Sequence, residues 1–217
     1  MDHAALKAKL CEIGARAYAR ELVDGTGGNF SCRLDDGLIL CTPTLTCKGR
    51  MAPDDLCIVD PDGRPVSAPR PVSSEVQLHL ALYKANPDTG AVVHTHPPYA
   101  TTLAVLGEHL PTGILPEGDV FLGAVPLVPY RTPGTPALGA ALAPLARSHV
   151  AALLQNHGAV TWGPDLETAY VLTETLEAVS RVYCQARVLG QLNLIPPERQ
   201  EELAALRERF RAGLKRP

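Results

Sequence analysis

The sequence is poor in aromatic residues: they make up 5% of its 217 positions, with one Trp and three Phe. Its core must therefore be mostly aliphatic. Long apolar runs are also missing. The longest stretch without Asp, Glu, Lys or Arg, from Thr89 to Gly107, carries two His, two Pro and four Thr, which excludes a membrane-spanning helix. The opening Met-Asp-His-Ala-Ala-Leu-Lys has no apolar run, so no secretory signal and a cytoplasmic location are expected. Charge of one sign is not in excess, since 20 Lys and Arg face 23 Asp and Glu. That balance argues against nucleic acid or an anionic membrane as partner. The six cysteines form no C-x-x-C pair; they read as small buried apolar residues and not as a disulfide frame or zinc knuckle. H-E-x-x-H, H-x-E with C-x-x-C, G-x-S-x-G and the Walker pattern are absent too. The common metalloproteases, zinc deaminases, serine-elbow hydrolases and P-loop proteins are thereby disfavoured.

What is present is an apolar fraction of 46%, enough for a folded core, in a length that suits a single domain over residues 1–217. Leu6, Leu10, Ile13 and Ala17 mark one face of a helix over 2–23. Strands are expected at about 29–34 and 37–42 around Asp35-Asp36-Gly37, and at about 56–60 and 64–67 around Pro61-Asp62-Gly63. Ser73-Ser74-Glu75 opens a helix to about Asn86, and Ala91–His96 reads as a buried strand closed by Pro97-Pro98. A helix at 99–106, a Gly/Pro-rich loop at 111–123, a strand at 125–129 and a helix at 136–147 follow. Strands at 151–155 and 159–162 precede a long helix that Asp165 caps, to about Leu189, and a charged helix over 197–213. Hairpins with flanking helices predict a layered α/β fold on a largely antiparallel sheet.

The sharpest chemical feature is His94-Thr95-His96. Residues two apart on a strand share a face, so both imidazoles can reach one cation, with Zn–N of about 2.0–2.1 Å. His157, in Asn156-His157-Gly158 at the end of another apolar strand, is the third candidate ligand, because a catalytic zinc takes three protein ligands and keeps a position open. His3, His79, His109 and His149 stand alone and read as ordinary hydrogen-bonding histidines. Glu75, in the first turn of its helix, fits three roles: helix capping, metal ligation, or general base. Ser73 and Ser74 at that helix start form one candidate anion site. The glycines of Gly25-Thr26-Gly27-Gly28-Asn29 form another, with a plain turn as the alternative, and Thr42-Pro43-Thr44 adds hydroxyls.

Taken in order, Gly-Thr-Gly-Gly-Asn-Phe-Ser (25–31), Thr-Pro-Thr (42–44), Ser-Ser-Glu (73–75), His-Thr-His (94–96) and Asn-His-Gly (156–158) resemble the class II aldolase/adducin family. The likeness is greatest to its L-fuculose-1-phosphate aldolase branch. The resemblance implies a three-layer α/β/α fold with a central, mostly antiparallel sheet, and a homotetramer with sites at subunit interfaces. It implies Zn²⁺ held by His94, His96 and His157, with Glu75 as a further ligand and catalytic carboxylate. It also implies a phosphate pocket of Gly28, Asn29, Thr44, Leu45, Ser73 and Ser74. The activity implied is reversible cleavage of a ketose 1-phosphate, L-fuculose 1-phosphate or similar, to dihydroxyacetone phosphate and a short aldehyde. Leu45 stands where the family usually has glycine; residues 111–123 hold no Tyr, and none follows Tyr183. Glu117 or Asp119 could supply an acid in that loop, which keeps pentulose-5-phosphate 4-epimerase and methylthioribulose-phosphate dehydratase chemistry in view. A non-enzymatic adducin-like assembly domain is disfavoured by the retention of all four candidate metal-centre groups.

Overall fold

One eight-stranded sheet organises residues 3–214, the part of the chain that the computed structural model describes. Its strands are β1 (Asn29–Arg33), β2 (Ile39–Cys41), β3 (Cys57–Val59), β4 (Pro65–Ser67), β5 (Ala91–Thr95), β6 (Leu127–Val128), β7 (Ala151–Leu154) and β8 (Gly158–Gly163). They lie in the order β4-β3-β2-β1-β5-β8-β7-β6. All neighbours are antiparallel except β6 and β7. The helices are α1 (His3–Ala19), α2 (Val76–Ala85), α3 (Pro98–Leu106), α4 (Pro136–Leu142), α5 (Leu166–Leu189) and α6 (Pro197–Leu214). Among the described residues, no helix is long and apolar enough to cross a membrane.

The period of two along each strand sorts the core into layers. Val92, Val160 and Trp162 face Leu78 and Leu82 of α2 and Leu138 and Leu142 of α4. Phe30, Ala91 and Val93 turn the other way, onto Leu10 and Ile13 of α1 and Tyr170 of α5. Beside them, Leu153 and Ala159 meet Leu103 of α3 and Leu176 of α5. The result is the expected helix–sheet–helix sandwich around a mostly antiparallel sheet, with an aliphatic core. Cys32, Cys41 and Cys57 are buried in it as small residues.

Element boundaries differ from expectation where side chains or proline intervene. The first helix stops at Ala19, because Glu21 takes a left-handed conformation (φ 58°) and the Leu22 amide bonds back to the Ala17 carbonyl. Its expected first residue, Asp2, lies outside the described residues. The helix expected from Ser73 begins at Val76. The segment before it is held extended, with Thr44 N–H on the Pro71 carbonyl and a bridge between Pro43 and Val72. The helix from Pro136 gives way at Ala143 to a tighter turn, since Pro144 has no N–H to continue the ladder. The Gly/Pro-rich loop contains a π-helical turn, Gly118–Leu122, on which α6 rests through Phe121 and Phe210.

Asp165 caps α5 as its sequence suggests, its Oδ1 accepting from Thr168 N–H at 2.8 Å. Asp165→Ala is expected to cost about 1 kcal/mol, read as a lower urea midpoint with an unchanged slope; an unchanged midpoint would remove the cap from the account.

Candidate active site

Strand register sets the centre. His94 on β5 lies directly across from Asn29 on β1 and from Val160 on β8. It shares its face with Val92, the face that α2 covers, and is fully buried. Its Nδ1 donates to the Ala159 carbonyl at 2.9 Å, which leaves Nε2 facing inward. His96 follows the end of β5, its backbone N–H fixed on the Leu22 carbonyl at 2.9 Å. Asp24 stands 3.8 Å from its Nδ1, the ring nitrogen away from His94. His157 sits in the turn between β7 and β8, after Asn156 in the left-handed conformation (φ 56°). Gly158 is forced by space: a Cβ there would stand 2.5 Å from the Thr95 carbonyl and 2.7 Å from the His96 ring.

Glu75 is the N-terminal boundary residue of α2. Its Oε2 lies 3.4 Å from His94 Nε2, and its Oε1 lies 3.4 Å from His157 Nε2. His94 and His96 bring their Nε2 atoms to 3.2 Å. Donor atoms bound tetrahedrally to one cation at about 2.0–2.1 Å stand about 3.3 Å apart, which is the spacing these pairs already have. One ring nitrogen from each of the three histidines lies within 4.8 Å of the others. Glu75 Oε1 is buried without a hydrogen-bond partner. Burial pushes the His96 and His157 imidazolium pKa values down to about 4, so both rings are neutral donors at pH 7. Burial alone would raise the Glu75 carboxyl, but His94, His157 and the Asn29 amide outweigh it and hold the group well below the carboxylate range. Neutral nitrogens, an ionised carboxylate and one orphan oxygen are a donor set that fits a divalent cation.

Three segments of the expected phosphate pocket also meet. Thr44 is tied to Pro71, and Ser73 follows two residues on, with its Oγ accepting from Glu75 N–H at 3.3 Å. Lys48, 1% exposed, donates from Nζ to the carbonyls of Thr26 (3.0 Å) and Thr46 (2.6 Å), clamping the 25–28 turn to the 44–46 segment. Burial lowers its pKa to about 8. Gly28 is left-handed (φ 70°), and a Cβ there would meet the His94 carbonyl at 2.8 Å. Leu45 also holds a left-handed conformation (φ 50°) and exposes 81% of its surface. Ser74 is exposed, and the Asn29 side chain donates to Glu75 Oε2 at 2.8 Å.

Within this chain, neither Glu117 nor Asp119, the acids offered by the 111–123 loop, reaches the histidines. Both Asp119 carboxylate oxygens accept from Gly113 N–H, which keeps the buried side chain inside its own loop, and Glu117 faces solvent. Neither lines the 470 Å³ cavity beside the histidines, whose wall includes Asp24, Thr101, Thr102, Leu106, His96 and His157. Two residues escaped the sequence reading. Lys48 leaves no pattern in a sequence. His79 does: Glu75, His79 and Tyr83 recur every four residues, a polar stripe on one face of an otherwise apolar helix.

The model of the family described as Class II Aldolase and Adducin N-terminal domain matches residues 8–184. The 3-oxo-tetronate 4-phosphate decarboxylase of Cupriavidus necator is 37% identical over 182 residues, 82% of this chain and 83% of that protein. The crystal structure of YgbL from Klebsiella pneumoniae superposes with a TM-score of 0.86 at 35% identity, covering 94% of this chain and 99% of that one. An L-fuculose 1-phosphate aldolase structure gives 0.86 at 31% identity, covering 95% and 96%. The chain belongs to the class II aldolase and adducin family. Its relatives are lyases, and it is assigned to that class of enzyme.

Two outcomes follow from this geometry. Gly158→Ala is expected to weaken zinc binding about tenfold or more with the far-UV circular dichroism unchanged; parental affinity would contradict the close packing of Thr95 and His96 on that glycine. In chelator-treated protein, His96 and His157 titrate near 4, and His79, which burial pushes to about 3, lower still. Unfolded histidines titrate near 6.5. The unfolded chain therefore binds more protons in that window, so stability falls as pH drops from about 6.5 toward 4. Urea midpoints at pH 7 and pH 5 measure this, and equal midpoints would mean that the rings are not held neutral.

Proposed function

We propose that the protein is a zinc-dependent lyase that breaks the bond between the carbon beside the ketone and the departing carbon of a short phosphorylated substrate, and leaves dihydroxyacetone phosphate. Zinc bound by His94, His96 and His157 would act as a Lewis acid toward the ketone oxygen. The backbone and hydroxyls at Gly28, Thr44, Leu45, Ser73 and Ser74 would hold the phosphate, with the Lys48 charge close behind, and so orient the three-carbon unit. The resemblance to the family further supports a homotetramer.

The leaving group that suits this centre best is carbon dioxide. Retro-aldol cleavage moves two protons: one off the hydroxyl of the departing carbon, one onto the carbon left behind. Decarboxylation of a 3-oxo-tetronate 4-phosphate moves only the second. The C1–C2 bond breaks, the carboxylate leaves as carbon dioxide, and its electron pair passes to C2, delocalised onto the C3 oxygen. One proton, taken up from solvent by Glu75 and passed to C2, completes dihydroxyacetone phosphate. The observation that carries this reading is that Glu75 is the one carboxylate among the described residues set between His94 and His157, its Oε1 unpartnered. Aldol cleavage of L-fuculose 1-phosphate is the second reading, favoured by the 0.86 TM-score to an aldolase of that substrate. It needs a further acid–base group.

Zinc-loaded protein offered each substrate in turn, with dihydroxyacetone phosphate read by a coupled reductase and carbon dioxide trapped, separates the two. Equal release of both products from the oxo-acid supports decarboxylation; release from L-fuculose 1-phosphate alone replaces it with the aldolase. Glu75→Gln is expected to lower kcat by about 10²–10⁴-fold while keeping bound zinc. Full turnover in that variant would take Glu75 out of the mechanism.

A further inference from the structure

We propose that His79 is a positioning residue which, acting through Asn29, decides which oxygen of Glu75 carries the proton. The inference rests on Glu75 being the working carboxylate. A continuous chain of buried polar groups runs from α2 across β1 and back to the centre. Tyr83 OH lies 2.7 Å from Ser31 Oγ, and Ser31 Oγ lies 2.7 Å from His79 Nδ1. His79 Nε2 lies 2.5 Å from Asn29 Oδ1, and Asn29 Nδ2 lies 2.8 Å from Glu75 Oε2. Ser31 is fully buried, His79 is 2% exposed, Tyr83 4% and Asn29 5%, so water does not compete for these bonds.

Only one direction of donation satisfies every member. An ionised carboxylate accepts and cannot donate, so Asn29 must present its NH₂ to Glu75. That leaves Asn29 Oδ1 as an acceptor, and His79 must meet it with a protonated Nε2. A neutral imidazole then has a bare Nδ1, which accepts from the Ser31 hydroxyl, whose oxygen in turn accepts from Tyr83. Burial keeps His79 neutral at pH 7. An amide passes no proton along under these conditions, so the chain orients and does not conduct. Its effect is to give Oε2 a standing hydrogen bond and leave Oε1, buried and without a hydrogen-bond partner, as the basic oxygen whenever it is not bound to a cation. Without His79 the Asn29 amide is free to turn over and present its carbonyl to the carboxylate, which repels.

Exchange of the hydroxymethyl protons of dihydroxyacetone phosphate with deuterium oxide, followed by NMR on zinc-loaded protein, reads proton transfer whatever group the natural substrate loses. His79→Phe is expected to slow exchange about ten- to hundredfold, with half-saturation and zinc content near the parent's. His79→Gln, which keeps a donor for Asn29, is expected to restore most of the rate. Asn29→Ala should lose as much as His79→Phe, and the double variant no more than either. If His79→Phe does not fold, Ser31→Ala takes its place in the comparison. Parental exchange in His79→Phe, losses that multiply in the double variant, or a His79→Gln as slow as His79→Phe overturns the proposal. So does a ¹⁵N imidazole spectrum of metal-free protein showing His79 protonated on Nδ1. Glu75→Gln measured alongside separates the two claims. Exchange retained there, or absent in the parent, removes the reading of Glu75; exchange lost there but parental in His79→Phe removes only the role of His79.

Discussion

Glu75 is an ionised carboxylate taken largely out of water, and much of the site follows from what is needed to keep one there. An unpaired buried charge costs several kcal/mol even after relaxation. Here the Asn29 amide offsets part of the cost on one oxygen, while imidazole nitrogens stand 3.4 Å from each oxygen. Neutral rings cannot finish that task; a divalent cation between them can. The same register that pairs Asn29 with His94 across β1 and β5 therefore serves two ends: it assembles the nitrogen donors and supplies the carboxylate's hydrogen bond. Small residues complete the arrangement, since Gly158 and Gly28 bring backbone to within contact of β5.

The fold was legible wherever local chemistry decides conformation. Asp35-Asp36-Gly37 and Pro61-Asp62-Gly63 make their turns with glycine left-handed, at φ 84° and 88°, and Asp165 caps α5. Boundaries were less legible where distant contacts prevail, as at residues 71–73, held extended by the strand-like segment at 43–44, and at Gly118–Leu122, shaped under α6. At the centre, His-x-His, Asn-His-Gly and Ser-Ser-Glu were readable because short spacing on a strand or at a helix start places those groups together. Lys48 was not, since a buried polar side chain owes its partners to tertiary packing, and His79 showed only as a polar position every fourth residue with Glu75 and Tyr83. Nor did the motif show that the Asn29 side chain donates to Glu75.

Departures from the family pattern bear on chemistry. Leu45 holds a left-handed conformation natural to glycine and stands its side chain in solvent. The loop at 111–123 spends its acidic groups elsewhere: Asp119 on Gly113, Glu117 on solvent. On the proposed reading, a centre with one engaged carboxylate suits a reaction that needs one proton placed, as loss of carbon dioxide does. Both reactions leave the same three-carbon phosphate, so related sites can serve either with changes confined to the leaving-group side.

The central claim is that His94, His96, His157 and Glu75 form one cation site. X-ray absorption at the zinc edge tests it most directly, on protein loaded with one equivalent and without substrate. The account predicts a first shell of three imidazole nitrogens and carboxylate oxygen, lost in His94→Ala. A shell containing sulfur, or a spectrum that His94→Ala leaves unchanged, would contradict it.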